Sequence, residues 1–234
     1  GSTGEPLRYY KTPESYSYRI ACNLRGWYWM DYKLGDKFVK LSQNPRQTAN
    51  KKIQDLLYRC KYLFSQQLDE KNFRIILEEI QAYNPLIIRG YPDPMMFLAK
   101  YAREKGVDYI KPQAITTTGN VLTNEARDLI EKQFSCKIFD TYSCEGSPVL
   151  FESPTHDCYL ISMEQAISEI ISGDKEVREG ERGRLISTDL TNYAQPFIRY
   201  DTQDLVVKGN KSKCGRGLST ITTIAGRDND ILVT

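Results

Sequence analysis

The stretch Asn84-Pro85-Leu86-Ile87-Ile88 decides the fold class, because one periodic apolar pattern ends in it and a different one begins. Upstream, apolar residues recur every three or four positions, the spacing of an amphipathic helix, at Phe73, Ile76, Leu77 and Ile80. Proline disfavours helix at the residue before it, so this helix is predicted to end near Asn84. The short apolar run that follows is typical of a buried strand.

The alternation of helix and strand continues downstream as far as Phe139. The predicted elements are a helix over about Pro94–Lys105, a strand at Ala114–Thr116, a helix from Asn124 with Thr123 as its N-cap, and a strand at Lys137–Phe139. Helices that alternate with short apolar strands imply a mostly parallel sheet with helical cover.

Three earlier segments are predicted with less periodic support. Leu7–Thr12 and the aromatic Gly26–Met30 are predicted as strand, or as strand and loop. From Thr48 onward, apolar residues recur at helical spacing with Lys and Gln on the other face, which predicts an amphipathic helix. Its apolar stripe would contain Ile53, Leu56, Leu57, Cys60, Leu63 and Phe64.

After about Tyr159 the pattern changes to strand upon strand. The predicted strands are Gln165–Ile171, Arg184–Asp189, Phe197–Tyr200, Leu205–Lys208 and Thr220–Ile224, with a hairpin loop at Ser172–Gly180. We therefore predict an α/β fold. Residues 1–158 would form a mostly parallel sheet with helical cover, and residues 159–234 a β-rich subdomain resembling a distorted barrel.

Composition is that of a soluble globular protein, with 40% hydrophobic and 26% charged residues among 234. The formal net charge of +2 creates no field that would favour nucleic acid or an anionic membrane as a partner. The longest apolar runs are too short to cross a bilayer. Six cysteines without a C-x-x-C pair favour free thiols in a reducing compartment, so we expect the protein in the cytoplasm.

The first six residues, Gly1-Ser2-Thr3-Gly4-Glu5-Pro6, have the small side chains of a tight phosphate-binding loop. Such a loop leaves backbone N–H groups and two hydroxyls free to hold phosphate oxygens. Because short Gly-rich motifs often occur by chance, a plain turn is the alternative interpretation. A loop of this kind normally follows a strand, so we expect the chain to be an internal piece of a longer protein.

A second motif, Phe139-Asp140-Thr141-Tyr142-Ser143-Cys144-Glu145-Gly146, delivers a ring and a carboxylate from the end of a predicted strand. Ligands collect at the carboxyl ends of parallel strands. The ring of Tyr142 could stack on a purine, and the carboxylate of Glu145 could hold Mg²⁺. The alternative is a strand that ends in a polar turn.

Three further blocks, Gly183–Leu190, Pro196–Asp204 and Ile224–Ile231, follow in order. With the two earlier motifs, the chain resembles the adenylate-forming superfamily, which includes acyl-CoA synthetases and peptide-synthetase adenylation domains. It is most similar to the phenylacetate–CoA ligase branch and its capsule-biosynthesis CapK proteins. The segments that carry this narrower resemblance are Arg89–Pro92, Thr117–Asn120, Pro196–Thr202 and Lys213–Arg216.

The resemblance implies a ligase that activates a carboxylic acid with ATP as an acyl-adenylate and passes the acyl group to CoA or another thiol. The implied site consists of Ser2, Thr3 and Gly4 on the phosphates, Glu145 on Mg²⁺, Gly119 and Tyr142 at the adenine, and Asp204 and Arg227 at the ribose, with Glu145 and Thr3 as catalytic residues. An upstream segment and a C-terminal domain with a catalytic Lys would complete the enzyme, so we expect these 234 residues alone to be inactive.

This chain departs from the family pattern at several positions. Gln203 replaces a usual Gly, so the loop geometry around Asp204 is expected to differ, and Asn120 replaces a common Glu. At the hinge, Asn229 stands where many relatives have Asp, with Asp230 following. Some relatives also carry a Cys/His zinc cluster, whose positions here are occupied by Ser153, Leu160, Ser212 and Cys214.

Zinc is therefore not expected. His156, Cys158 and Cys214 would be the substitute ligands, although a solvated turn is the favoured interpretation of His156.

Two other functions remain open. Cys144 could carry an acyl group, as in acyl-protein synthetases, or the Tyr-, Lys- and Arg-rich segment from Lys51 to Tyr62 could bind single-stranded nucleic acid.

Overall fold

The computed structural model describes residues 8–46, 48–65 and 69–227, which form two compact units. Residues 26–142 form one, here called the parallel unit. Residues 8–25 and 143–227 form the other, the antiparallel unit. In this division by compactness, the segment before residue 26 is grouped with the later strands, whereas the sequence predicted a division at residue 158.

The chain begins with helix α1 (Pro13–Tyr28), whose first part belongs to the antiparallel unit. The parallel unit then contains β1 (Phe38–Ser42), α2 (Ala49–Leu57), β2 (Cys60–Phe64), α3 (Glu70–Tyr83), β3 (Ile87–Gly90), α4 (Pro92–Glu104), β4 (Ala114–Thr118), α5 (Asn124–Phe134) and β5 (Lys137–Tyr142). Its strands are parallel and lie in the order β2-β1-β3-β4-β5.

The core of the parallel unit lies between one face of this sheet and helices α3, α4 and α5. Four buried aliphatic residues on neighbouring strands are partners in register, namely Val39, Ile88, Ile115 and Ile138. Side chains alternate between the two faces of a strand, so this row sets the register: a slip of one residue would move it out of the core.

The antiparallel unit contains β6 (Leu150–Glu152), β7 (Tyr159–Ile161), β8 (Ala166–Ser172), β9 (Lys175–Glu176), β10 (Arg182–Asp189), β11 (Tyr200–Lys208) and β12 (Thr220–Arg227). Their order is β6-β7-β12-β11-β10-β8-β9, with antiparallel pairing throughout. The predicted α/β class, a helix-covered parallel part followed by a β-rich part, is confirmed. The hairpin predicted at Ser172–Gly180 is also confirmed, since Ser172 pairs with Lys175.

The helices predicted around Phe73–Ile80, Pro94–Lys105 and from Asn124 are confirmed as α3, α4 and α5. The hydroxyl of Thr123 accepts the N–H of Ala126 at 3.2 Å, as predicted for an N-cap. In the part of the chain that the structure describes, no helix is long and apolar enough to cross a membrane.

The segments Leu7–Thr12 and Gly26–Met30 are predicted as strand, or as strand and loop, and neither contains a strand in its described residues. Residues 8–12 form a loop before helix α1, and α1 continues through Gly26 to Tyr28, with a turn after it. The hydroxyl of Thr12 accepts the N–H of Ser15 at 3.1 Å, and Pro13 stands at the first helical position. Both are helix-start signals, and they outweigh the β propensity of the aromatic residues near the helix end. Leu7 lies outside the described residues.

The single helix predicted from Thr48 is also wrong, because α2 ends at Leu57 and β2 begins at Cys60. Arg59, with φ of 51°, turns the chain between them. Asp55 pairs with Arg46 through two hydrogen bonds of 2.6 and 2.8 Å, whereas the aliphatic residues face solvent. Ile53, Leu56 and Leu57 are 57%, 77% and 73% exposed.

The predicted strand Phe197–Tyr200 is wrong in its bounds, since β11 begins at Tyr200. Arg199 just before it has a φ of 46°, in the left-handed region, which interrupts the extended backbone. Phe197 instead lies in the preceding loop, where its ring contacts the site described below.

Candidate active site

The carboxylate of Glu145 lies in a loop of the antiparallel unit and is held by two cations. Its Oε2 atom lies 2.5 Å from Nζ of Lys11 and 2.8 Å from Nη1 of Arg19. Lys11 lies two residues before the start of helix α1, and Arg19 belongs to the helix itself. Residues far apart in sequence thus converge on the carboxylate that the second motif identified.

The backbone of this loop is fixed by two further contacts. Nη2 of Arg19 donates a hydrogen bond of 2.5 Å to the carbonyl oxygen of Cys144. Gly146 has a φ of 75°, and a Cβ at this position would lie 2.8 Å from the ring of Phe197. Glycine is therefore required for both conformation and space, and the loop conformation positions the Glu145 side chain.

Glu145 is ionised at neutral pH. Burial alone would raise its pKa, but hydrogen bonds from Lys11 and Tyr9 and the positive charges of Arg19 and Lys11 outweigh it and lower the pKa. Tyr9 shows the reciprocal effect, because burial and its hydrogen bond to the Glu145 carboxylate raise the pKa of the phenol. The tyrosine thus stays protonated and acts as a donor to Glu145.

Asp204 is buried on strand β11, directly opposite the backbone of Arg227 on β12. The hydroxyl of Thr202 accepts the N–H of Asp204 at 3.2 Å. Gln203 has a φ of 61°, and its N–H donates to Oδ1 of Asp201 at 2.9 Å. Gln203 therefore adopts the left-handed conformation that favours glycine, the residue that the family pattern usually has here.

Two predicted adenine-side residues belong to the parallel unit. Tyr142 is the last residue of β5, and Gly119 follows β4 with a φ of 94°. A Cβ on Gly119 would lie 2.5 Å from the ring of Tyr91, so the ring packs directly against this backbone. Asn120, one of the departures from the family pattern, donates to Asp93 at 2.8 Å.

Several predicted residues lie outside the described residues, namely Ser2, Thr3, Gly4, Asn229 and Asp230, and so does the side chain of Arg227. Conversely, the sequence motifs did not indicate Tyr9, Lys11 or Arg19. The N-cap signal of Thr12 and Pro13 could have placed Arg19 on a helix, but no sequence pattern links that helix to Glu145.

Two of the positions compared with the relatives' zinc cluster, Ser153 and Ser212, belong to a hydrogen-bonded network around Asp157. Its Oδ1 accepts hydrogen bonds from the hydroxyls of Ser153, Thr155 and Ser212 at 2.5, 2.7 and 3.0 Å, and Oδ2 accepts the N–H of Lys213 at 2.8 Å. Among the described residues, no group of three or more Cys, His, Asp or Glu side chains could hold a metal ion.

The three substitute zinc ligands have other contacts. The thiol of Cys158 contacts Oδ1 of Asp157 at 3.5 Å, and the sulfur of Cys214 lies 3.1 Å from the hydroxyl of Ser212. His156 is in a turn, as predicted, but it is half-buried rather than solvated, because its Nδ1 lies 3.2 Å from Oε1 of Glu152. Leu160, at the fourth position, is buried in β7.

Comparison with known proteins shows which proteins this chain resembles in sequence and fold. No family model matches the chain. Protein CapK of Staphylococcus aureus is 25% identical over 255 residues, covering 99% of this chain and 52% of CapK. A phenylacetate-coenzyme A ligase of Pseudomonas putida is 29% identical over 164 residues, covering 66% of this chain and 36% of the ligase.

Among solved structures, an open conformation of 2-hydroxyisobutyryl-CoA ligase in complex with 2-HIB-AMP and CoA has the same fold. Its TM-score is 0.73 at 21% identity, covering 92% of this chain and 50% of the ligase. The chain is thus similar in sequence to CapK and to a phenylacetate-coenzyme A ligase, and it shares the fold of 2-hydroxyisobutyryl-CoA ligase. The resemblance predicted from the sequence blocks is therefore confirmed, on the CapK and phenylacetate–CoA ligase branch. The chain spans about half the length of CapK and 36% of the Pseudomonas ligase.

Proposed function

We propose that the chain is part of a ligase that activates a carboxylic acid with ATP as an acyl-adenylate and transfers the acyl group to CoA or another thiol. The observation that carries this proposal is the ionised Glu145, which follows β5 and is held by Lys11 and Arg19. The names of the relatives support the same chemistry, since two are CoA ligases.

The Glu145 carboxylate fits a Mg²⁺ ion that is bound by the protein and by nucleotide phosphates at the same time. Mg²⁺ commonly binds proteins through one or two carboxylates and takes its other ligands from substrate phosphates and water. Within residues 8–46, 48–65 and 69–227, Glu145 is an ionised carboxylate that belongs to no larger acidic cluster, which agrees with that mode. When bound, the ion would neutralise charge on the phosphates, and Glu145, whose side chain is positioned by Arg19, would hold it.

The other proposed roles use hydrogen bonding and stacking. Asp204, buried at the β11–β12 pair, would accept the ribose hydroxyls, and Arg227 would contact the same region. Tyr142 would stack on adenine near Gly119. Ser2, Thr3 and Gly4 remain the proposed phosphate loop. The acyl substrate, a role in capsular polysaccharide synthesis and a cytoplasmic location stay predictions.

Glu145→Gln in the full-length protein tests the proposal, assayed by ATP–pyrophosphate exchange with a panel of carboxylic acids. We expect at least one acid to support exchange, and the variant to lose about 100-fold or more in kcat, because removing one transition-state electrostatic group typically costs that much. Glu179→Gln, at an exposed position, is the matched control. The proposal fails if no acid supports exchange or if the two variants behave alike.

The alternative functions have less structural support. The thiol of Cys144 contacts the Ser147 hydroxyl at 3.2 Å and the Glu145 carbonyl at 3.5 Å, neither of which is a base that would activate it. In the proposed nucleic-acid segment, the guanidinium of Arg46 covers the ring of Tyr62 at 4.3 Å, which competes with base stacking. We therefore favour transfer to a free thiol such as CoA.

A further inference from the structure

The two cations at Glu145 are held in different ways. Arg19 contacts both the Glu145 side chain and the Cys144 carbonyl, and it lies within helix α1. Lys11 lies before the helix, where its ammonium contacts Oε2 of Glu145 and lies 4.9 Å from the centre of the Tyr9 ring. Arg19 is therefore part of the loop framework, whereas Lys11 is attached mainly through its ion pair.

A divalent cation and Lys11 would compete for the same carboxylate oxygen. Oε2 already contacts two positive groups at 2.5 and 2.8 Å, and like charges at such separations repel strongly when partly shielded from water. Arg19 is fixed by its second contact. Lys11 is thus the group expected to move when a metal ion binds at Oε2 of Glu145.

A displaced Lys11 has a suitable destination on the nucleotide. The lysine ammonium carries three donors on a flexible four-carbon stem and commonly binds phosphate oxygens as a point charge. Lys11 also follows closely in sequence after the Gly1–Pro6 stretch proposed to hold phosphates. The ammonium would exchange one oxygen anion, the Glu145 carboxylate, for another, a phosphate.

We propose that Lys11 is an exchangeable binding residue: it neutralises Glu145 when no nucleotide is bound, and it binds a phosphate oxygen when the metal ion takes Glu145. This inference rests on the proposed function, because it assumes that Glu145 holds the metal. It assigns opposite effects to one side chain, since Lys11 opposes binding of the metal alone and favours binding of the phosphate alone.

The substitution Lys11→Met in the full-length protein separates these two effects. Binding of Mn²⁺ alone is measured by electron paramagnetic resonance, and binding of metal-free pyrophosphate by calorimetry. We expect Mn²⁺ affinity to rise threefold or more and pyrophosphate affinity to fall threefold or more. Lys11→Arg keeps the charge and should bind pyrophosphate like the parent protein. Lys175→Met, at an exposed position of β9, is the matched control and should change neither.

A purely structural role for Lys11 would weaken both ligands together, and that result would overturn the inference, as would no change in either. Thermal unfolding of each variant checks that the fold is retained. The variant Glu145→Gln distinguishes failure of the metal role of Glu145 from failure of the role inferred for Lys11. If this variant binds Mn²⁺ as well as the parent, the metal role of Glu145 and this inference both fail. If it loses Mn²⁺ while Lys11→Met gains nothing, only the inference fails.

Discussion

Gln203 shows how one residue can keep a backbone conformation that its side chain disfavours. Its φ of 61° lies in the left-handed region, next to the buried Asp204. The sequence predicts an altered loop because glycine is missing, and at this position the chain has a backbone conformation that glycine takes readily. Composition alone did not reveal this, because neighbouring hydrogen bonds, such as that from the Gln203 N–H to Asp201, decide the backbone angle.

Gln203→Val should destabilise the protein although valine favours strands. A β-branched side chain is poorly tolerated at positive φ, where the cost is roughly 1–2 kcal/mol per residue. Gln203→Gly should be neutral within about 1 kcal/mol, because relief of steric strain offsets the greater freedom of the unfolded chain. Urea unfolding at neutral pH measures both. A valine variant as stable as the glycine variant would contradict the φ-based argument.

At the level of elements, Asp157 connects the loop between β6 and β7 with the loop between β11 and β12. Burial by itself would raise its pKa, but hydrogen bonds from the Lys213 N–H and from the Ser153, Thr155 and Ser212 hydroxyls lower it well below its usual range. The carboxylate thus links two loops of the antiparallel unit through hydrogen bonds.

Asp157→Asn should cost about 1–3 kcal/mol at pH 7, because several donors lose a charged acceptor. The folded pKa is lowered, so this stabilisation is fully present above the unfolded pKa of about 4 and is lost as the pH falls through the folded value. The difference between parent and variant should therefore be constant from about pH 7 to pH 5 and shrink below about pH 4. Denaturant unfolding across that range measures it, with Asp174→Asn as control. A pH-independent difference would rule out the charge-based explanation.

The sequence predicted elements best where periodicity, caps and packing agree. Helix α3 has a full apolar stripe, and α5 has its Thr123 cap, so both were predictable. Helix α1 was not, because its aromatic end resembles a strand while its buried contacts come from segments such as Thr191 that lie far away in sequence. The site followed the same rule: Glu145 and Asp204 lie in local motifs, whereas Lys11 and Arg19 reach Glu145 only through the fold.

Across the whole molecule, aliphatic residues that recur at the same helical spacing differ in burial: some lie in the core and others are exposed to solvent. Leu77 on α3 is 2% exposed within the core, whereas Leu57 on α2 is 73% exposed. Leu77→Ala should lower the free energy of unfolding by about 2–5 kcal/mol, the usual cost of a buried leucine. Leu57→Ala should change it by less than about 0.5 kcal/mol. Both changes are Leu→Ala within a helix, so helix propensity cancels. Guanidinium unfolding measures them, and equal losses would show that α2 is packed in solution.

The outward aliphatic side of α2 also affects how unfolding of this protein can be followed. Dyes such as ANS become fluorescent on exposed apolar surface, and their signal is normally taken as a sign of lost packing. Here Ile53, Leu56 and Leu57 offer such a surface in the folded state. A dye-based melting curve would therefore start from a bright baseline, and circular dichroism of the backbone is the sounder signal for locating the transition.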